Sequence, residues 1–320
     1  MDSVRLAIVD AHQHFWDLSL GKHPWLRDEP PPPFRYGDTR PLRRSYLPAD
    51  YRTDAGAYRV VGSVYVETEW DPTDPIGETR WVQGLAAREG LPSAVVAQAW
   101  LDRDDVEDVL ARQAACPLVR GIRHKPAAAP SPDSVVPGAP GSMGDPRWRA
   151  GFARLARHGL SFDLQAPWWH LQEAAMLARD FPDTQIVLNH TGLPADRSAE
   201  GLRGWREAMA TLAARPNVAV KISGLGVPGQ SWTAESNREV VLRTLDLFGV
   251  DRAMFASNFP VDGLVARLET IYDGFRTIVR DLTATDQQKL FGENAVRIYR
   301  LDAPLECPAS VRRQGAEWAP

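Results

Sequence analysis

Eight short runs, most of them rich in β-branched residues, recur along the chain at helix-length intervals, and that alternation constrains the fold more tightly than any other feature. The runs are RLAIVDAH (5–12), YRVVGSVYVETE (58–69), SAVVAQAWL (93–101), PLVRGIRHK (117–125), LSFDLQAP (160–167), QIVLNHTG (185–192), NVAVKISGLG (217–226) and AMFASNFPVD (253–262). Helical patterns with readable ends lie between them. Asp145 caps a segment whose first turn holds Pro146 and whose apolar face carries Trp148, Phe152 and Leu155, with Gly159 as its stop. Segment 169–181 repeats that logic, and segment 233–248 opens at Thr233 and stops before Gly249.

Strand and helix in strict alternation predict a (β/α)8 TIM barrel, since 320 residues exceed the roughly 250 such a barrel needs. A doubly wound open sheet has the same alternation. It would gather polar residues at one switch point, whereas here they stand at the C-terminal end of nearly every run, where barrel enzymes build their sites. We read residues 1–302 as one barrel domain and 303–320, which lack an apolar period, as a C-terminal tail. Two Pro-rich segments, 15–57 and 126–143, make the loops after the first and fourth strands unusually long, the length expected of lids or binding loops.

The strand ends supply the candidate chemistry. His12 and His14 are one residue apart at the end of the first run, so a strand would project both imidazoles to one side. His190 ends the apolar run IVL, a place where a buried strand has no cause to spend a histidine on solvent. Three imidazoles can hold a Zn²⁺ with a position left for water. Glu67, Arg123 with His124, Asp163 with Gln165, Lys221, and Asn258 with Asp262 complete the rim. Each has a plain structural explanation alone, as an ion pair or a loop cap, and it is convergence at one rim that marks them. Arg123 and Lys221 are expected to bind an anionic group, and Trp16, Trp25 and Phe34 in the first loop suit a substrate lid. GLGVPG (224–229) matches the dinucleotide-binding spacing, but no helix opens on it, so we read it as a loop near the mouth.

DAHQHFW, GIRH, FDLQ, LNHTG and FASNFPVD together resemble the amidohydrolase superfamily, and within it the branch of sugar-lactonase and 2-pyrone-4,6-dicarboxylate lactonase type, over residues 5–300. The resemblance implies a hydrolase that opens a lactone, or a related cyclic ester or amide, of a small polar or carboxylated substrate. His12, His14 and His190 then hold one divalent metal, Zn²⁺ first, or act on the carbonyl without metal. His12, His14, His190, Asn258 and Glu67 fall in the catalytic set, and Arg123, His124, Asp163, Gln165, Lys221 and Trp16 in the substrate-binding set. In the superfamily the eighth strand ends in an aspartate; here it ends in Asn258, which cannot take a proton. Glu67, Asp163 and Asp262 are the carboxylates that could replace it, although Asp262 reads better as a cap on the next helix. A metal-dependent decarboxylase and a barrel that binds without turnover are the alternatives.

Composition narrows the partners. A net charge of -4 offers no basic footprint for nucleic acid or an anionic membrane. The chain shows neither a signal peptide nor a membrane-length apolar run, and its two cysteines, Cys116 and Cys307, lie far apart, so a cytoplasmic enzyme acting on a small molecule is expected, a homo-oligomer being compatible.

Overall fold

Eight parallel strands follow one another around the sheet in sequence order: β1 (Ala7–Gln13), β2 (Arg59–Val66), β3 (Ala94–Gln98), β4 (Val119–Arg123), β5 (Ser161–Leu164), β6 (Ile186–Leu188), β7 (Val218–Ile222) and β8 (Ala253–Phe255). The computed structural model describes residues 7–31 and 33–302. Cys307 and the tail from 303 lie outside the described residues. A parallel bridge between Gln13 and Phe259 brings the end of β1 against the segment after β8, so the sheet closes into a nearly complete barrel.

The strands sort their side chains into two apolar clusters, as strand alternation requires. Val9, Ala11, Val64, Val66, Val96, Val187, Ala219 and Met254 face one another in the lumen. Ile8, Tyr65, Val95, Ile122, Phe162, Leu188 and Phe255 face outward to the helices. The lumen cluster also includes Ala295, Ile298 and Tyr299 from the last described helix, Asn294–Tyr299, which plugs the barrel.

Local chemistry sets the helix ends as read. The Asp145 side chain accepts from the Arg147 amide at the start of Pro146–Phe152, Thr233 accepts from Ser236 N ahead of Ala234–Phe248, and Gly159 takes the left-handed conformation that stops its segment. Two strands end earlier than the apolar runs suggest. β6 stops at Leu188 and β8 at Phe255, so His190 and Asn258 stand on turns beyond the strands. The polar side chains there bond laterally rather than along a ladder.

Described residues of both long loops are anchored by specific contacts. The first contains the helix Pro48–Ala55 and an antiparallel bridge between Trp16 and Tyr46. The second is held by Trp169 Nε1 donating to Ala129 O and by the Ala129 amide donating to His170 Nε2.

Candidate active site

A one-residue bulge in β1 builds the site's floor. Asp10 pairs with Ser63 but Gln13 pairs with Tyr65, so three steps of β1 match two of β2. Val9 and Ala11 face the lumen, and strict alternation would send His12 and His14 outward. The extra residue reverses the alternation and delivers both imidazoles to the lumen side. Asp10 braces the bulge: its carboxylate accepts from the amides of His12 and Ser257 and from the hydroxyls of Tyr51 and Ser257.

His12 Nε2 and His14 Nε2 come within 3.2 Å of each other, and the His190 ring packs 4.6 Å from His12. His14 Nδ1 lies 2.8 Å from the Val66 carbonyl, which can only accept, so His14 carries its proton on Nδ1 and a lone pair on Nε2. That lone pair faces Asn258 Oδ1 at 3.3 Å. The amide orientation is set from behind, because Asn258 Nδ2 donates to Asp262 Oδ1 at 2.6 Å. Burial drives the His14 imidazole down to about 3, with the Arg123 guanidinium adding to it. Burial and Lys221 lower His12, and burial and Arg35 lower His190, so all three are neutral at physiological pH.

Backbone strain gathers at this mouth. Glu69, His190, Thr191, Leu193 and Asn258 all adopt positive φ, against one other described non-glycine residue, Arg300, elsewhere. Each such conformation costs of order 1 kcal/mol or more and clusters where a side chain must be aimed. For Asn258 the aiming is visible, since its amide joins His14 to Asp262 and its backbone amide donates to His12 O.

Above the floor opens a cavity of about 330 Å³ lined by His14, Trp16, Arg123, Gln165, His190 and Asn258 together with Trp25, Phe34, Arg35, Thr68, Glu69 and Lys125. Arg123 is held by Glu67, with Nε 2.5 Å from Oε1, and Nη1 donates to Gln165 at 3.0 Å. Glu67 is therefore committed to Arg123 and to the Glu69 amide, which removes it as a replacement base.

Four expectations need correction. His124 points away from the cavity: Leu101 N donates to its Nδ1 and its ring stacks on Trp148, because it alternates with Arg123 along β4. Lys221 does not await an anion; it is fully buried in the lumen, 2.6 Å from Asp163 Oδ2. Asp163 in turn accepts from Asn189 and from the Tyr299 hydroxyl, so the pair is an internal strut below the histidines, and Asp163 is no free base. Asp262 caps no helix. It sits in the turn Val261–Leu264 and accepts from Asn258 and from Tyr36 Oη.

Among the described residues no three His, Cys, Asp or Glu side chains form a ready metal site, so His190 does not complete the expected three-histidine set. Its Nδ1 is tied to Ser223 Oγ on a left-handed turn. The remaining donors do suit a cation. Two ligand nitrogens on bonds of about 2.0–2.1 Å at a tetrahedral angle lie about 3.4 Å apart. The His12 and His14 nitrogens match that spacing, and Asn258 Oδ1 adds an oxygen donor beside them. His14 Nδ1 on a backbone carbonyl is the support that ligating histidines use.

Sequence reasoning missed Arg35, Glu69 and Lys125. Arg35 and Tyr36 sit inside HPWLRDEPPPPFRYG, and an arginine in a loop already read as a lid was the available signal. Glu69 carried none, because its place at the mouth depends on a left-handed backbone one turn past β2.

The profile of the amidohydrolase family matches residues 9–301. An uncharacterized protein of Sinorhizobium fredii, y4mH, is 43% identical over 92% of this chain and 99% of its own length. An L-fucono-1,5-lactonase of Burkholderia ambifaria is 28% identical over 92% of this chain and 96% of that protein. The crystal structure of a Burkholderia multivorans amidohydrolase with bound zinc superposes with a TM-score of 0.76 at 26% identity, covering 92% of this chain and 99% of that one. The chain therefore belongs to the amidohydrolase family and is an enzyme of its hydrolase type.

Proposed function

We propose that the protein opens the lactone ring of a small polar substrate by water attack in the cavity above His12 and His14. The observation that carries this reading is the character of the available bases. Among the described cavity residues the one carboxylate is Glu69, and Lys125 pairs with it, while Asn258 stands where a carboxylate would take a proton. A site with only neutral imidazoles and an amide suits an acyl group that is already reactive, as a lactone is and an amide is not. The lactonase names of two relatives support the same choice.

In this reading His14 Nε2 and Asn258 Oδ1, both acceptors, take the two hydrogens of a water molecule and aim its oxygen at the carbonyl. Were a divalent ion bound by His12 and His14, with Asn258 Oδ1, those atoms would be its ligands instead of the water's acceptors, and the ion would supply Lewis-acid polarisation of the carbonyl and lower the pKa of water toward about 7. The Arg123 guanidinium, pinned by Glu67, stabilises charge that develops on the carbonyl oxygen. His190, whose Nδ1 is held by Ser223 and which lines the cavity, is the imidazole able to donate from the floor through Nε2. The proton lost by water ends on the ring oxygen that leaves, so no strong base is consumed.

The test is a pH-indicator screen of sugar lactones, dicarboxylate lactones and aryl esters on metal-analysed protein, with and without chelator. Lactone turnover abolished by chelation places the ion on His12 and His14. Turnover that survives it leaves the reaction to the imidazoles and Arg123. No lactone turnover in either condition sinks the proposal.

A further inference from the structure

We propose that Arg35, delivered by the first loop, is the residue that recognises an anionic substituent on the substrate, a role that rests on the lactonase reading of the same cavity. The expectation from sequence gave that task to Arg123 and Lys221. Arg123 is paired with Glu67 and bonded to Gln165, and its remaining N–H groups are assigned to the carbonyl oxygen, while Lys221 is spent on Asp163. Lys125, the other lysine near the mouth, pairs with Glu69. Arg35 alone among the described cations lining the cavity makes no hydrogen bond to a carboxylate. Its nearest, Asp262 Oδ1, is 3.6 Å from Nη2, and that oxygen already accepts from Asn258 and Tyr36.

The guanidinium is nevertheless fixed in place. Arg35 Nη1 donates to Gly224 O at 3.2 Å, and the guanidinium packs 4.4 Å over the Tyr36 ring. The glycines of GLGVPG make this seat. A Cβ on Gly224 would come within 2.7 Å of both Arg35 Nη2 and the His190 ring, and one on Gly226 within 3.1 Å of the Tyr36 ring. Guanidinium and imidazole thus flank one backbone point that only glycine, at φ +62, can occupy. The motif that matched a dinucleotide fingerprint is instead the socket for a loop arginine. With the remaining N–H groups of a planar fork unspent at the cavity wall, the chemistry selected is a carboxylate taken bidentately. Asp262 is the positioning residue that ties this cation to Asn258 through Tyr36.

The experiment compares glucarolactone, which ends in a carboxylate, with gluconolactone, which ends in a hydroxymethyl, and titrates the dianion glucarate by calorimetry. Arg35→Met is expected to lower the ratio of kcat/KM for the two lactones at least 30-fold, through KM, and to weaken glucarate at least tenfold. Arg35→Lys is expected to recover part of both, which separates lost charge from lost fold, and thermal melts of the two variants check that both are folded. An unchanged ratio, or equal loss on both lactones, overturns the proposal. If wild-type protein opens neither lactone, the lactonase reading fails by itself and the glucarate titration decides: binding that Arg35→Met leaves intact, or no binding to wild type, overturns the role of Arg35.

Discussion

The two long loops are both Pro-rich, yet one belongs to the site and the other to the scaffold. The first, after β1, contributes Trp16, Trp25, Phe34 and Arg35 to the cavity wall and plants Tyr36 on Asp262. The second, spanning 126–143 after β4, contributes none of the cavity-lining residues and fastens itself to Trp169 and His170 at the start of the helix layer. Proline content and length mark a segment that leaves the economy of the barrel. What decides its use is the set of partners waiting at its landing place: a carboxylate and glycines beside the site for one, helix-layer aromatics for the other.

The contrast breaks most sharply under exchange. Replacing 33–36 with a Gly-Ser linker of equal length is expected to cut kcat/KM by 100-fold or more, while the same replacement at 133–136 changes it less than threefold; steady-state rates on whichever lactone the screen identifies decide it. Comparable losses from both would erase the distinction drawn here.

Next in size is the substitution Asn258→Asp. It places a second carboxylate against Asp262, which burial already pushes up from its ordinary value. The pair binds one proton more tightly than a lone carboxylate and loses it only by setting two like charges together, so activity is expected to fall about tenfold at pH 7 and to recover toward pH 5, where the shared proton is retained. A rate that rises at pH 7 instead would show that a base was the missing part.

How much of this could be read in advance follows from particular residues. The barrel was legible because apolar periodicity and caps such as Asp145 and Thr233 act within a few residues. His12, His14 and His190 were legible as rim residues for the same reason. The bulge that turns His12 inward was not, because it is a property of the pairing between β1 and β2 rather than of either strand. The fates of Lys221, Asp163 and Glu67 were hidden likewise. A sequence shows a charge but not the opposite charge, 58 residues away for Asp163 and Lys221, that neutralises it. Sequence alone could not tell a substrate-binding cation from half of an internal ion pair.

The anchoring of the first loop also sharpens by pH. Thr68 holds His23 and Trp25 of that loop, and Glu78 accepts from the Thr68 amide and hydroxyl. Burial, reinforced by Glu67, pushes the Glu78 carboxyl up to about 7. Its folded value lies above the unfolded one, so it favours the protonated fold, and the stability it contributes is full below about pH 4.5 and lost as pH rises to 7. Glu78→Gln is therefore expected to flatten the fall in Tm between pH 5 and 8 by a few degrees, read by thermal denaturation. A wild-type Tm that changes across that interval by the same amount as the variant's would remove Glu78 from the account.

The smallest effect belongs to the second loop. His170→Phe removes the acceptor for the Ala129 amide and is expected to lower Tm by a few degrees at unchanged kcat/KM, as a scaffold contact should. A kinetic loss there would move the second loop toward the site.

The Tyr299 hydroxyl, donating to Asp163 in the lumen, ties one of the last described residues to the middle of the barrel. During synthesis Lys221 and Asp163 emerge before the helix that completes their surroundings. The polar interior of the barrel is therefore finished only when the plug arrives, and a chain truncated ahead of residue 294 is expected to leave its deepest ion pair open to water. The barrel in effect checks for this helix inside its own lumen, below the mouth where substrate enters.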